Sequence, residues 1–251
     1  MCGRYCISSA PEAIRRLFRY SQQPNFPPRY NVAPTQPVPI VRIAEGERQF
    51  SLVRWGLIPS WVKDPKDFSL VINARGESVL DKPAFKNAMK RRRCLFPADG
   101  FYEWRTEGGR KRPYFARLKA GGPLAFAGLW ETWMGPNGEE MQTAAIVTTT
   151  ANSEMAQVHH RAPAIVPPGQ FDFWLSPQTD AETAAALIAP APTGSMEVYE
   201  ISPVVNRVAN DSPELLWPYT APNEATPAPE ARPKPAARRR RPEDDGQASL
   251  F

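Results

Sequence analysis

Short apolar segments broken by turn-forming residues run through most of this 251-residue chain and limit the folds open to it. Each segment carries β-branched or aromatic residues and is bounded by Gly, Pro or Asn, which is the pattern of short β-strands. The pattern predicts strands at residues 38–43, 49–55, 93–97, 101–105, 114–118, 124–130, 143–149, 164–166 and 196–201. Because few helical segments separate these strands, we expect an α+β fold built on an antiparallel, barrel-like β-sheet.

Helical periodicity is confined to four stretches, and the composition changes near the C-terminus. The spacing of apolar residues predicts helices at residues 11–20, 82–92, 153–158 and 180–189. From residue 219 onward the chain turns to Pro, Ala, Glu and Arg with no apolar repeat, which is typical of a disordered tail. We therefore expect one folded catalytic domain at residues 1–218 and a tail at 219–251. The glycine pairs at 108–109 and 121–122 are predicted to form hairpin turns.

Composition indicates a soluble protein of the cytoplasm. A hydrophobic content of 42% supports one sizeable core, whereas no apolar run reaches the length of a membrane span and the N-terminus lacks the layout of a secretory signal. Three cysteines without CxxC spacing fit reduced thiols better than disulfides or a zinc site. We expect no metal and no cofactor. The net charge of +5 is a weak indication of a polyanionic partner.

The second residue of the chain carries a thiol. Removal of Met1 would leave the α-amine and the thiol of Cys2 on one residue, with reference pKa values of about 7.7–8.0 and 8.5, so each has a usable nucleophilic fraction near neutrality. With an aldehyde, the amine forms a Schiff base that the thiol can close into a thiazolidine ring. The alternative is an ordinary second residue on a frayed terminus.

Two polar groups stand out beside apolar strands. Asn73 and Arg75 follow the apolar run 70–72, so they would emerge at a strand end, either in a site or as a capping Asn and an ion-paired Arg. Strand alternation puts Glu103 on the same face as Phe101, among aromatic rings. A carboxyl in an apolar site has a raised pKa and suits proton transfer, although pairing with an arginine is the commoner outcome.

The only two histidines and a pair of tryptophans complete the candidates. His159 and His160 are adjacent, so on a strand their rings would point to opposite faces and at most one would face a site. A structural or surface role for both is the alternative. Trp55 and Trp61 bracket a turn and are either core residues or stacking platforms for unpaired bases.

Seven ordered blocks together resemble the SRAP family, the SOS response-associated peptidase domain proteins that cross-link to abasic sites in single-stranded DNA. The blocks are Met1-Cys2-Gly3-Arg4-Tyr5, Asn31-Val32-Ala33-Pro34-Thr35, Trp55-Gly56-Leu57-Ile58-Pro59-Ser60-Trp61, Asn73-Ala74-Arg75-Gly76-Glu77, Phe96-Pro97-Ala98-Asp99-Gly100-Phe101-Tyr102-Glu103-Trp104, Thr148-Thr149-Thr150-Ala151-Asn152 and His159-His160-Arg161-Ala162-Pro163. The sequence departs from the family pattern at His160, where an acidic residue is usual, and at Ala162, where Met is usual.

The resemblance implies a division of roles among these residues. It implies Cys2, Asn73, Glu103 and His159 as catalytic residues. It also implies DNA contacts from Arg4, Trp55, Trp61, Arg75, Thr148 and Arg161.

The implied activity is a shielding reaction on DNA, carried out by a nucleoid-associated monomer. The protein would sense an abasic site in single-stranded DNA and form a thiazolidine crosslink through Cys2, with lyase-like Schiff-base chemistry as its first stage. Two alternatives are an N-terminal cysteine peptidase and a non-covalent single-stranded DNA-binding protein.

The last five residues resemble the bacterial sliding-clamp-binding motif. Gln247, Leu250 and Phe251 occupy its Gln, Leu and aromatic positions. The sliding clamp is therefore a candidate partner, and a frayed C-terminus without a partner is the alternative.

Overall fold

The structure is a computed structural model that describes residues 2–220 of the chain. The tail predicted at 219–251 lies outside the described residues except for its first two. In chain order the described strands are β1 (Tyr5–Ile7), β2 (Arg29–Val32), β3 (Pro37–Ala44), β4 (Glu47–Trp55), β5 (Asn73–Arg75), β6 (Arg93–Ala98), β7 (Gly100–Glu107), β8 (Arg110–Leu118), β9 (Leu124–Met134), β10 (Glu140–Thr150), β11 (Arg161–Pro163) and β12 (Met196–Glu200). The α-helices are α1 (Pro11–Phe18), α2 (Pro83–Arg91), α3 (Ser153–Ala156), α4 (Phe171–Leu175) and α5 (Ala181–Ala185).

A closed β-barrel forms the centre of the fold. Its strands pair in the ring β10, β4, β3, β6 and β9, and β9 pairs back onto β10. The α+β class with a barrel-like sheet is thus confirmed. One detail of the expectation is wrong, since the sheet is not wholly antiparallel: β10 runs parallel to β4 and to β5. Alternating apolar residues predict a strand but do not say which strand it pairs with.

A second sheet packs against the barrel and carries the N-terminal strand. It is antiparallel throughout, in the order β12, β8, β7, β1 and β2. Aromatic rings join the two sheets: Tyr5 packs edge-on against Trp55 at 5.4 Å and against Phe126 at 6.0 Å, and Phe101 contacts Phe126 at 5.9 Å between ring centroids. These side chains are buried, and burial of one such ring contributes about 1.5–3 kcal/mol.

Turn chemistry explains where the connections agree with the sequence and where they do not. Gly108 and Gly109 both have positive φ and connect β7 to β8 in a hairpin, as predicted. Gly121 and Gly122 also have positive φ, but they link β8 in one sheet to β9 in the other, so the hairpin predicted there is wrong. Both dipeptides satisfy a tight turn, and only the pairing of the flanking strands distinguishes the two cases.

Several element boundaries differ from the sequence prediction in the segments that carry Asn73 and Arg161. The strand β5 begins at Asn73 instead of covering residues 70–72, because its partner is the distant β10. The strand predicted at 164–166 forms at Arg161–Pro163, and Ile165 makes only an isolated bridge to Phe126. The short strands β1 and β2 and the helix α4 carried too few residues to be recognised from periodicity. None of the helices in the described part of the chain is both long and apolar enough to cross a membrane.

Candidate functional site

Cys2 lies buried at the junction of the two sheets, just before β1. Its exposed fraction is 0%. The side-chain amide of Asn73 donates a hydrogen bond to the Cys2 carbonyl oxygen at 2.9 Å, and the Cys2 Sγ lies 3.8 Å from the carbonyl oxygen of Arg4. Cys2 is therefore a packed and hydrogen-bonded residue, which excludes the frayed terminus that its sequence position allowed.

The surroundings of the thiol keep it protonated. Burial raises the pKa of Cys2 far above its usual range, and the negative charge of Glu103 raises it further. The sequence suggested a usable thiolate fraction near neutrality, and the structure corrects this expectation for the buried state. A neutral thiol can still add to an electrophilic imine when it transfers its proton in the same step.

Asn73 is held in place by the parallel pairing of β5 with β10. The register pairs Asn73 with Ile146 and Arg75 with Thr148. The Asn73 Nδ2 is committed to the Cys2 carbonyl, whereas its Oδ1 is buried and accepts no hydrogen bond from the described residues. Asn73 thus anchors Cys2 through its Nδ2 and offers its buried Oδ1 beside Cys2 as a hydrogen-bond acceptor.

Glu103 lies beside the N-terminal segment through the pairing of β1 with β7. Tyr5 pairs with Phe101, and the amide of Tyr102 donates to the Arg4 carbonyl at 3.0 Å, so the same register continues toward Glu103 and Cys2. Phe101 packs in the central core while Tyr102 packs in a separate cluster, as the strand alternation predicts. Glu103 is 4% exposed, and burial raises its pKa, which confirms the expectation of a carboxyl with increased proton affinity.

The two histidines lie together and not on opposite faces. They precede β11 in a non-strand segment, and their rings stack with centroids 4.4 Å apart and planes 25° from parallel. Alternation applies only within a strand, so that expectation is wrong. Burial lowers the pKa of His159, and the neighbouring His159 charge lowers the pKa of His160. The charge of His160 also acts on Glu103 and lowers its pKa, against the larger effect of burial.

Arg161 has a buried guanidinium whose two terminal nitrogens are engaged with protein groups. It donates to the Glu77 carboxylate at 2.5 and 2.9 Å and to Thr148 at its carbonyl oxygen (2.8 Å) and hydroxyl (3.2 Å). The Arg161 backbone amide donates to the Nδ1 of His159 at 3.0 Å. Phosphate binding by Arg161 would have to displace part of this network.

The other predicted DNA contacts differ in how accessible they are. Arg75 is exposed, whereas Thr148 is buried and bonded to Arg161. The Arg4 guanidinium donates to Asn31 Oδ1 at 2.7 Å and to the Val205 carbonyl at 3.1 Å. Of these residues, Arg75 offers the most accessible guanidinium to a phosphate.

The two tryptophans have opposite environments. Trp55 is 0% exposed, packs on Tyr5 and donates from its indole nitrogen to the Ile72 carbonyl at 3.0 Å. It presents no ring face to a base in this structure and fits the core interpretation. Trp61 is 58% exposed and contacts only the edge of Phe68 in the described ring pairs, so one indole is accessible for stacking.

Two further residues, Glu77 and Asn31, organise this site without having been predicted as site residues. Glu77 holds Arg161, and the Asn31 amide donates to three backbone carbonyls while its oxygen accepts from Arg4. Both residues belong to the blocks that resemble the family, yet neither carries a local signal for a partner so far along the chain. Among the described residues, no group of three or more His, Cys, Asp or Glu side chains could hold a metal ion. Gln247, Leu250 and Phe251 lie outside the described residues.

Comparison with known proteins gives one consistent match. The sequence model of the family described as SOS response associated peptidase (SRAP) matches residues 1–208. A protein of Bacillus subtilis (strain 168), the abasic site processing protein YoqW, is 38% identical over 221 residues, which cover 86% of this chain and 99% of that protein. The abasic site processing protein HMCES of Gallus gallus is 32% identical, covering 87% of this chain and 78% of that one. A crystal structure of a protein from Bacteroides thetaiotaomicron superposes with a TM-score of 0.77 at 28% identity, covering 87% of this chain and 100% of that chain.

Proposed function

This chain belongs to the SOS response associated peptidase (SRAP) family, and we propose that it processes abasic sites in DNA by covalent capture through Cys2. The observation that carries the proposal is the buried Cys2, anchored by Asn73 and electrostatically coupled to Glu103. The names of the relatives support the substrate class. The covalent chemistry is argued from the residues around Cys2.

The proposed reaction uses both nucleophiles of Cys2 in turn. Removal of Met1 frees the α-amine, which attacks the aldehyde carbon C1′ of the ring-opened abasic sugar and gives a carbinolamine. Loss of water forms the C=N bond of a Schiff base. The thiol sulfur then bonds to C1′ while its proton passes to nitrogen, which closes a five-membered thiazolidine without any oxidant or reductant.

Glu103 is the proposed proton carrier for the first stage. Ring opening of the sugar and loss of water both need proton transfer at oxygen, and a carboxyl with a raised pKa can donate and recover a proton near neutrality. The low exposure of Glu103 keeps bulk water from competing for that proton. Asn73 holds the Cys2 main chain, and its free buried Oδ1 can accept from the new amine or from a sugar hydroxyl.

His159 is the proposed partner of the ring-opened sugar hydroxyl. Its pKa is lowered, so the imidazole is neutral at pH 7 and can hydrogen-bond to that hydroxyl during ring closure and during slow reversal. Arg75 would neutralise a phosphate, and Trp61 would stack on an unpaired base of the single strand. Arg4, Thr148 and Arg161 would support the same strand from partly or fully buried positions.

A cysteine peptidase is the second candidate, and one observation weighs against it. Such an enzyme attacks with a thiolate, so it needs a thiol with a lowered pKa. Here burial and the charge of Glu103 raise the pKa of Cys2. The third candidate, a non-covalent reader of single strands, gives no role to a buried thiol next to a buried carboxyl.

Mass spectrometry of the protein incubated with an abasic single strand tests the proposal. We expect a covalent adduct that has lost one water and withstands heat and denaturant without borohydride. Cys2→Ala should form none. Cys2→Ser should stop at a Schiff base, which needs borohydride trapping. Without trapping, this Schiff base decays by β-elimination and the strand is cleaved. Equal adduct yield from wild type and Cys2→Ala would refute the assignment.

We further propose that the C-terminal motif binds the bacterial sliding clamp and brings the protein to replication sites. The support is the sequence of Gln247, Leu250 and Phe251 alone. Fluorescence anisotropy of the C-terminal peptide with the clamp tests this, using Leu250→Ala with Phe251→Ala as the control. A dissociation constant of tens of micromolar corresponds to a binding free energy of about −6 to −7 kcal/mol. Absence of binding at such concentrations would exclude the clamp as a partner without affecting the crosslinking chemistry.

A further inference from the structure

Glu77 lies one short turn beyond the strand that carries Asn73. It belongs to the 3-10 helix Gly76–Ser78, which directly follows β5. Its carboxylate accepts hydrogen bonds from Nη1 and Nη2 of Arg161 at 2.5 and 2.9 Å, and the two residues are 84 positions apart in the chain. Hydrogen bonding from Arg161 lowers the pKa of Glu77, so this carboxylate stays ionised at neutral pH.

Arg161 is held at several points besides this ion pair. Its Nη2 also donates to the carbonyl and hydroxyl of Thr148, and its backbone pairs with Thr150 in the β10–β11 ladder. A planar guanidinium bound in a bidentate manner has one permitted orientation. Two restraints therefore fix the position of Arg161: the pairing of its backbone in the sheet and the hydrogen bonds of its side chain.

That fixed backbone favours one protonation pattern of His159. The Arg161 amide donates to His159 Nδ1 at 3.0 Å, and an amide N–H cannot accept a hydrogen bond. When Nδ1 accepts this bond it carries the lone pair, and the proton of the neutral ring resides on Nε2. The carbonyl oxygen of Arg161 lies farther from the same Nδ1, at 3.2 Å, and accepts from it in the forms of the ring that are protonated at Nδ1.

We propose that Glu77 is a positioning residue that holds His159, through Arg161, in the Nε2-protonated form and in register with Cys2. This inference rests on the proposed function, because the step that His159 assists belongs to it. One segment then controls both halves of the reaction: Asn73 at its start fixes Cys2, and Glu77 four residues later fixes the histidine.

The test compares Glu77→Gln with a matched control. Glu12 also makes a bidentate contact, with Nε and Nη2 of Arg15 at 3.1 and 2.9 Å on α1, and the hydrogen bonds described for that pair do not involve His159, so Glu12→Gln removes a bidentate ion pair elsewhere in the protein. Glu77 is 54% exposed at its side chain, so the Gln variant should fold. Single-turnover crosslinking of an abasic strand is measured for both variants, with and without His159→Ala.

We expect Glu77→Gln to slow crosslink closure and reversal by about 10-fold, the loss typical when a residue that orients a reacting group is removed. Glu12→Gln should match wild type. In the His159→Ala background, Glu77→Gln should cause no further loss, because the residue it positions is absent. The affinity for the uncleaved strand should stay unchanged.

Three results would overturn the inference. They are a wild-type rate in Glu77→Gln, the same loss with or without His159, and a rate change accounted for entirely by altered DNA affinity. The last would mean that Glu77 regulates phosphate binding by Arg161.

A readout independent of activity separates this inference from the proposed function. Nitrogen-15 NMR of the His159 ring in the DNA-free protein distinguishes a bare Nδ1 from a protonated one. We expect a bare Nδ1 in wild type and a mixture of tautomers in Glu77→Gln. If wild type forms no adduct but the two proteins differ in tautomer as expected, the proposed reaction fails while the positioning role stands. If Glu77→Gln has the same tautomer as wild type, the positioning role fails.

Discussion

Replacing Asn73 with Ala removes the amide that donates to the Cys2 carbonyl oxygen at 2.9 Å. Cys2 is fully buried, so bulk water cannot replace the lost donor. Leaving a buried polar group unsatisfied costs roughly 1–3 kcal/mol. Because a domain of this size loses about 2–4 °C of Tm per kcal/mol, a cost near the middle of that range lowers Tm by roughly 4–8 °C.

The same hydrogen bond also sets the position of the nucleophile. If the whole cost of roughly 1–3 kcal/mol appears as lost stabilisation of the transition state, the crosslinking rate falls by about 5-fold to 150-fold, since each 1.36 kcal/mol changes a rate about tenfold. The assay is single-turnover formation of the heat-stable adduct on denaturing gels, at a strand concentration that saturates binding. Thermal unfolding of the same preparations gives the stability change.

A matched variant separates the two effects. Asn210 makes the same kind of bond, from Nδ2 to the Val204 carbonyl at 2.7 Å, at the surface. Asn210→Ala should cost about 1 kcal/mol or less and leave the rate unchanged. If Asn73→Ala loses stability as calculated yet crosslinks at the wild-type rate, then Asn73 supports the fold only and the argument for its positioning role is refuted.

Three further predictions concern pH and salt. The raised pKa of Glu103 means that its protonated form is favoured by the fold, so this contribution to stability is present below the unfolded pKa of about 4.3 and is lost as pH rises through the folded pKa. Only the protonated carboxyl can donate, so we expect the crosslinking rate to decline as pH rises through the folded pKa of Glu103. Glu103→Gln should lower the rate and abolish both this decline and the loss of stability; an unchanged profile would exclude Glu103 as the acid. His160→Asp should move the protonation of His159 to higher pH, because an opposite charge at stacking distance favours the imidazolium, and an NMR titration showing no shift would contradict the coupling. Arg75→Ala should reduce the slope of log affinity against log salt for a single strand by about 0.7, as expected for one lost phosphate contact, whereas a parallel line would mean that Arg75 touches no phosphate.

The class of the fold and the residue types of the candidate site could be predicted from local sequence patterns. Strand formation depends on alternation and on turn residues within a few positions, so the α+β class and the Gly108–Gly109 hairpin could be predicted locally. The raised proton affinity of Glu103 was one of two outcomes that the sequence allowed, because Phe101 on the same strand face indicates an apolar setting, whereas pairing with an arginine was the commoner alternative. The nucleophilic character of Cys2 is a property of the residue type.

How those residues meet could not be predicted locally, because the contacts join segments far apart in the chain. Asn73 reaches Cys2 across 71 positions, and β5 is a strand only through its parallel pairing with β10. Pairing partners depend on the whole topology, which no local pattern encodes. The burial that holds the Cys2 thiol protonated follows from the same packing, since desolvation is a property of every surrounding atom and not of the residue that titrates.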